Sequence, residues 1–433
     1  MKEIQRILKN LSVLSLARIV SMFFGFFYTV YTTRYLGPAN YGILAFALAL
    51  NGIFGVIANF GLDPLTVREV ARNKNLAGKY LANGIVLKLL FGCLTFLIVF
   101  VVVNLLGYPE ITKKVVYLIT IFTILGGINN LFYSIYQAFE KMEFISIGQI
   151  LKSVLLLIFA IVGIKFNFDV IYFALIYLIV GFIELIYNLV ITILWKPLKL
   201  GTMIDFEFWK VILAESSWFA IAAFTTSLYY YFDSVMISYM KGNFEVGIYN
   251  AAYRLANIVL IIPQIYFLTV YPKLSNTYIK NLNTFKILSE ISITIMWILS
   301  FIVGILGFIF SNIVVTFIYG KEYLDAVPIF KIIIWSISLA YITIGLGNIL
   351  DAIGHQKLRF YIVLFSCILN IILNYFFIPI YGAFGAAIST LIARIVILVT
   401  FSIVVFKITY IFPFIKLENI KKLITFLKSY IFS

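Results

Sequence analysis

Five ionisable side chains fall in stretches of this sequence that are otherwise too apolar to hold a charge: Arg18, Arg254 and Arg394, with Glu184 and Asp233. A charge away from water is costly unless it faces a wet cavity or a partner. A guanidinium stays charged at every working pH and grips a phosphate through a planar, bidentate fork. Arginines from different helices facing one cavity would therefore suit a phosphate or pyrophosphate group. The two carboxylates have more than one reading. Asp233 precedes the turn near residue 241 by about as many residues as Arg254 follows it, so on adjacent antiparallel helices the two reach similar depth and would pair. Glu184 would likewise neutralise Arg18. Alternatively, either carboxylate would bind a proton or Na+ and couple the protein's work to a gradient.

Polar residues recur at helical spacing around these charges. Ser15 shares a face with Arg18, Met22, Gly25 and Thr29, at steps of three or four. Asn250, Arg254, Asn257 and Gln264 form a second stripe, which would line a cavity wall. Asn130, Ser134 and Gln137, and Ser366, Asn370 and Asn374, form two more. Hydrogen bonding between neighbouring helices is the plainer account of these last two groups, and lining a polar path is the alternative. Lys88, Lys152 and Lys331 lie within about two turns of the end of an apolar run, where a long stem reaches the interface by snorkelling. The single histidine, His355, stands beside Lys357 and Arg359 without metal-ligand spacing, and Cys93 and Cys367 sit inside apolar segments. Phosphate-binding loops and dinucleotide fingerprints are missing. No metal, cofactor or enzymatic activity is expected.

The elements that position these residues are membrane helices. Of 433 residues, 63% are hydrophobic and 12% charged, whereas a soluble domain carries roughly a quarter charged residues. Apolar runs repeatedly approach the ~20 residues that cross ~30 Å of hydrocarbon as helix. Breaks at polar residues, Gly and Pro predict about twelve spans, near 11–33, 41–62, 81–106, 115–139, 146–165, 170–195, 211–239, 246–272, 287–310, 325–350, 358–380 and 382–407. The net charge of +15 is spread singly through short loops and forms no basic patch for nucleic acid. Most Lys and Arg outside the spans fall in alternate loops, which places both termini in the cytoplasm of a multi-pass cell-membrane protein. The apolar run after Lys2, Arg6 and Lys9 has no small-residue cleavage site and reads as a retained first helix.

The two halves echo each other. Tyr35-Leu36-Gly37-Pro38-Ala39-Asn40-Tyr41-Gly42-Ile43 after the first span is similar to the stretch from Tyr239 through Gly242, Asn243 and Gly247 to Tyr249 after the seventh. Gln137 to Lys141 closes the fourth span much as Asp351 to His355 closes the tenth. Six spans per half give both copies one orientation, which predicts two parallel six-helix bundles with a path between them. The expected domains are residues 1–200, residues 201–408, and an amphipathic interfacial tail at 409–433.

The stretch from Arg34 to Gly42, the Asn59-Phe60-Gly61-Leu62 and Arg68-Glu69 region, and the Asp233 to Tyr249 segment resemble the oligosaccharide flippases of polysaccharide biosynthesis. That family belongs to the superfamily of the multidrug and toxin exporters and the lipid II flippases. The resemblance covers essentially the whole chain. It implies an exporter-like fold with a central cavity and transfer of a lipid-linked oligosaccharide, of polyprenyl-phosphate type, from the cytoplasmic to the outer leaflet. It also implies other glycan-assembly membrane proteins as partners. Lipid II flippases typically carry fourteen spans, and this chain has room for about twelve. Two other functions compete. A cation-coupled exporter of small molecules would favour an acidic cavity, which the net basic spans oppose. A polytopic glycan polymerase or glycosyltransferase would need a sizeable extramembrane loop with catalytic acids or bases, and every loop is short.

Overall fold

The computed structural model describes residues 2–195 and 204–414, with side chains described from Leu14 onward. Among them the chain is helical throughout, with no strand. Hydrocarbon offers no partner for a free peptide group, and a helix satisfies each one internally.

Among the described residues, ten helices are long and apolar enough to cross a membrane. They are α1 (Lys2–Asn59), α3 (Ala77–Leu105), α4 (Glu110–Ala138), α5 (Met142–Lys165), α6 (Val170–Trp195), α7 (Phe206–Lys241), the composite α8–α9 (Asn243–Asn257 and Ile261–Lys280), α10 (Leu282–Ile309), α12 (Ala326–Ala352) and α13 (Gln356–Thr409). Two of them are broken by glycine. Gly37 interrupts α1 with φ 65° and ψ 172°, and Gly382 interrupts α13 with φ 59° and ψ −139°. A residue with a Cβ is strained in that region, and Pro38 then starts the next piece with a preset φ. Cut at these glycines, α1 and α13 each give two apolar pieces, which overlap the predicted spans 11–33, 41–62, 358–380 and 382–407.

Two short helices were not visible as spans. The α2 helix (Leu62–Arg72) follows α1 after two left-handed residues, Phe60 (φ 43°) and Gly61 (φ 68°), and buries Leu62, Leu65 and Val70. The α11 helix (Ser311–Tyr319) follows α10 and buries Val315 and Tyr319.

The chain forms two compact units, residues 1–247 and 248–433. The sequence division placed a boundary at residue 200, whereas the first unit continues through α7 to Gly247. That unit's core gathers Leu65, Val70, Leu81, Leu131, Phe132 and Tyr136. The N-terminal end of α7 is tied to α2 and α3. Lys79 Nζ lies 2.7 Å from Asp205 Oδ2, Arg68 pairs with Glu215, and Trp209 Nε1 donates to Asn83 Oδ1 at 2.7 Å. At the other end of α7 the motif and its echo meet. Gly242, with φ 89° and ψ −179°, repeats the backbone of Gly37. A Cβ on Gly42 would strike the Asn243 carbonyl, and one on Gly247 would strike the Pro38 carbonyl. The two strips of backbone thus pack reciprocally, and glycine is required on both sides.

In the second unit α12 is almost wholly buried, and its Tyr341 and Leu346 share a core with Phe267, Ile293, Met296 and Phe401 of the neighbouring helices. Gly345 admits the Phe267 ring against it. Trp297 Nε1 donates to Pro413 O at 2.9 Å, holding the segment after α13 against α10. The amphipathic helix expected at 409–433 lies, from residue 415 on, outside the described residues.

Candidate functional site

Two buried charge clusters organise the first unit. In one, Glu184 of α6 is 3% exposed, with its Oε2 3.1 Å from Lys152 Nζ of α5. Tyr133 of α4 donates from its hydroxyl to Glu184 Oε1 at 2.8 Å. The Lys152 ammonium also sits 5.0 Å from the centre of the Phe122 ring. Ion pair and cation–π contact together stabilise an ammonium that stays 30% exposed. The cation beside Glu184 is therefore Lys152, where the sequence reading named Arg18. Beneath this cluster Asn188 Nδ2 donates to Asn129 Oδ1 at 3.1 Å, and Tyr136 donates to the Asn188 carbonyl at 3.0 Å. These bonds join α4 to α6.

The other cluster centres on Lys88 of α3, whose side chain is 1% exposed. Its ammonium meets three oxygens: Asp63 Oδ1 at 2.5 Å, the Gly127 carbonyl at 2.7 Å and Asn59 Oδ1 at 3.1 Å. Lys is almost never fully buried without a partner. The expected snorkelling does not occur, because the left-handed turn at Phe60–Gly61 swings Asp63 back to meet the ammonium inside the helices. Asn59 and Asp63 flank the apolar Phe60-Gly61-Leu62 run, and their four-residue spacing across a glycine was the signal available in the sequence. Lys152, Tyr133 and Lys88 were thus the participants that sequence reasoning missed.

The candidate ligand-binding residues are distributed over both units. Arg18 and Ser15 are exposed on α1, and a Cβ on Gly25 of the same face would meet nothing within 4 Å. That face opens onto space. Asp233 of α7 is buried in the first unit. In the second unit Asn250 is buried, Arg254 and Asn257 are half-buried, and Gln264 is exposed. A single 3-10 turn, Ile258–Leu260, separates Asn257 from Gln264. Its tighter winding shifts the helical phase, so Gln264 does not continue the stripe at α-helical register. Arg394 is half-buried on the second piece of α13. Asn370 and Asn374 are buried, and Asn374 Nδ2 donates to Asn370 Oδ1 at 3.1 Å. Ser366 donates to the Ala393 carbonyl at 3.1 Å, linking the two pieces of α13. Among the described residues no group of three or more His, Cys, Asp or Glu side chains is arranged to hold a metal ion.

Outside the spans, Asp205 caps α7 by accepting from the Phe208 amide at 3.0 Å. The hydrogen bond from Lys79, then that cap, hold its carboxyl below the usual carboxylate range. Tyr108, between α3 and α4, is pushed up by burial.

Residues 7–278 match the model of a family described as "Polysaccharide biosynthesis protein", and residues 219–376 match the model "MatE". Over 378 residues the chain is 25% identical to a "Putative O-antigen transporter" of Shigella flexneri, covering 83% of this chain and 88% of that one. It is 24% identical over 363 residues to a "Probable low-salt glycan biosynthesis flippase" of Haloferax volcanii, covering 82% and 74%. Among solved structures, the lipid II flippase MurJ in an inward closed conformation superposes with a TM-score of 0.70 at 19% identity, over 90% of this chain and 87% of that one. An inward-facing multidrug resistance MATE family transporter gives 0.65 at 14% identity, over 89% and 98%. The fold is thus that of the MATE and MurJ transporters.

Proposed function

The chain belongs to the polysaccharide biosynthesis protein family, and from that premise we propose that it is a flippase carrying a lipid-linked oligosaccharide, of polyprenyl-phosphate type, across the cell membrane. The named relatives are an O-antigen transporter and a glycan biosynthesis flippase. In this reading the cargo passes from the cytoplasmic to the outer leaflet while its lipid tail stays in the bilayer. Both termini face the cytoplasm.

The observation that carries the chemistry is the open face of α1. Arg18 lies well inside an apolar span and is exposed beside Ser15, with clear space over Gly25. A guanidinium keeps its charge at every working pH and can grip a phosphate through two donors at once. The phosphate of a lipid carrier is such an anion, and Arg254 and Arg394 are the further candidates for holding it. Asn250, Asn257 and Gln264 are candidates for contact with the sugars. Transport follows alternating access, with the basic cavity facing one side and then the other. Glu184 and Asp233 are the candidates for coupling to H+ or Na+.

A second reading, export of small molecules, draws on the MatE match over residues 219–376. It favours cationic cargo and an acidic cavity, whereas Glu184 already carries a lysine partner.

The deciding experiment measures the leaflet distribution of lipid-linked glycan in cells depleted of this protein. A membrane-impermeant glycan-cleaving reagent is applied to intact cells and to lysates. Intact lipid-linked oligosaccharide accessible only after lysis is the expected result. Normal outward accessibility would instead leave the exporter, and single unpolymerised units on the outer face would indicate a polymerase.

A further inference from the structure

The cage around Lys88 has the composition of a cation site. Its three oxygens are a carboxylate, a side-chain amide and a backbone carbonyl, and they come from α1, α2 and α4. Backbone carbonyl oxygens replace the hydration shell of K+ in filters and coordinate Na+ in transporters, and carboxylate and amide oxygens are ligands of the same hard kind. The cage is also held in place independently of Lys88. Asn59 Nδ2 donates to the Gly55 carbonyl at 3.2 Å, which turns its oxygen away from its own helix. A Cβ on Gly127 would stand 3.0 Å from Asn59 Oδ1, so glycine at 127 clears the room that oxygen occupies. The positive φ angles of Phe60 and Gly61 fix Asp63 opposite. One carboxylate with two neutral oxygens balances one positive charge, which selects a monovalent ion over a divalent one.

We propose that Asn59, Asp63 and the Gly127 carbonyl form a monovalent-cation site that this chain fills with its own Lys88 ammonium, and that shortening Lys88 opens the site to K+ or Na+. The lysine is then a tethered ion. Any soluble cation used for coupling binds elsewhere, and the junction of α1, α2 and α3 keeps its charge balance whatever the ionic composition outside. The inference stands apart from the flippase reading, since its readout is cation-dependent stability and not transport.

The test compares thermal unfolding of the purified full chain in KCl, NaCl and choline chloride at equal ionic strength. For Lys88→Ala, the midpoint is expected to rise saturably by a few degrees in K+ or Na+ over choline, beyond any shift of the wild type. The double variant Lys88→Ala/Asp63→Asn should lose that extra shift. Lys88→Gln, which keeps most of the stem and blocks the cage with an amide, should show less of it. An equal response of Lys88→Ala to choline and to both metal cations would overturn the proposal. So would failure of Lys88→Ala to accumulate in membranes, because the K+ of the cell would fill the site proposed.

Discussion

The first unit buries a lysine and a glutamate that are each ion-paired, whereas the second buries the Glu290 carboxylate, which accepts from the Phe412 amide, and otherwise sets neutral polar groups around an apolar helix. Lys88 sits inside the first unit with partners from three helices, and Glu184 with partners from two. The second unit closes around α12, and its α13 uses Asn370, Asn374 and Ser366 for bonds within that helix and between its two pieces. Neutral bonds between membrane helices are worth on the order of 1 kcal/mol. A buried charge is different, because losing one partner strands the other. The first unit therefore has few permitted arrangements of its polar interior, and the second has more.

Single substitutions would sharpen or break this contrast. The largest loss is expected for Asp63→Ala, which strands the Lys88 ammonium and should lower stability by about 3–5 kcal/mol in thermal or denaturant unfolding. Gly42→Ala should follow at roughly 1–3 kcal/mol, by overpacking against the Asn243 carbonyl. Glu184→Gln should cost about 1–3 kcal/mol, since Tyr133 keeps an acceptor and Lys152 reaches water. A loss there equal to that of Asp63→Ala would show that exposure of the partner does not matter. In the second unit Asn374→Ala should cost only about 1 kcal/mol, and a larger effect would erase the distinction between the units. The smallest effect is at the Lys79–Asp205 contact on the surface. Asp205 is depressed in the folded chain, so its contribution is present above the ordinary carboxylate range and fades as pH falls through the lower, folded value. Unfolding midpoints of wild type and Asp205→Asn should accordingly converge at acid pH and in high salt.

What the sequence made legible was whatever depends on composition along one helix. All twelve apolar runs are helical, and the Gly37 and Gly242 echo reappears as a shared backbone conformation. Whatever depended on the chain turning back on itself was hidden. Phe60 adopts a positive φ that its side chain disfavours, and without that turn Lys88 has only the interface to reach for. Asn257 and Gln264 look continuous on paper, but one 3-10 turn dephases them. Glu184 and Lys152 lie 32 positions apart, and no helical periodicity relates residues on different helices.

The reciprocal glycine contact carries an evolutionary consequence. Pro38 meets Gly247 while Asn243 meets Gly42, which is the exchange that two identical chains make at a two-fold axis. Each glycine is thus answerable to a carbonyl of the other strip, so the two strips are free to diverge everywhere except where they touch.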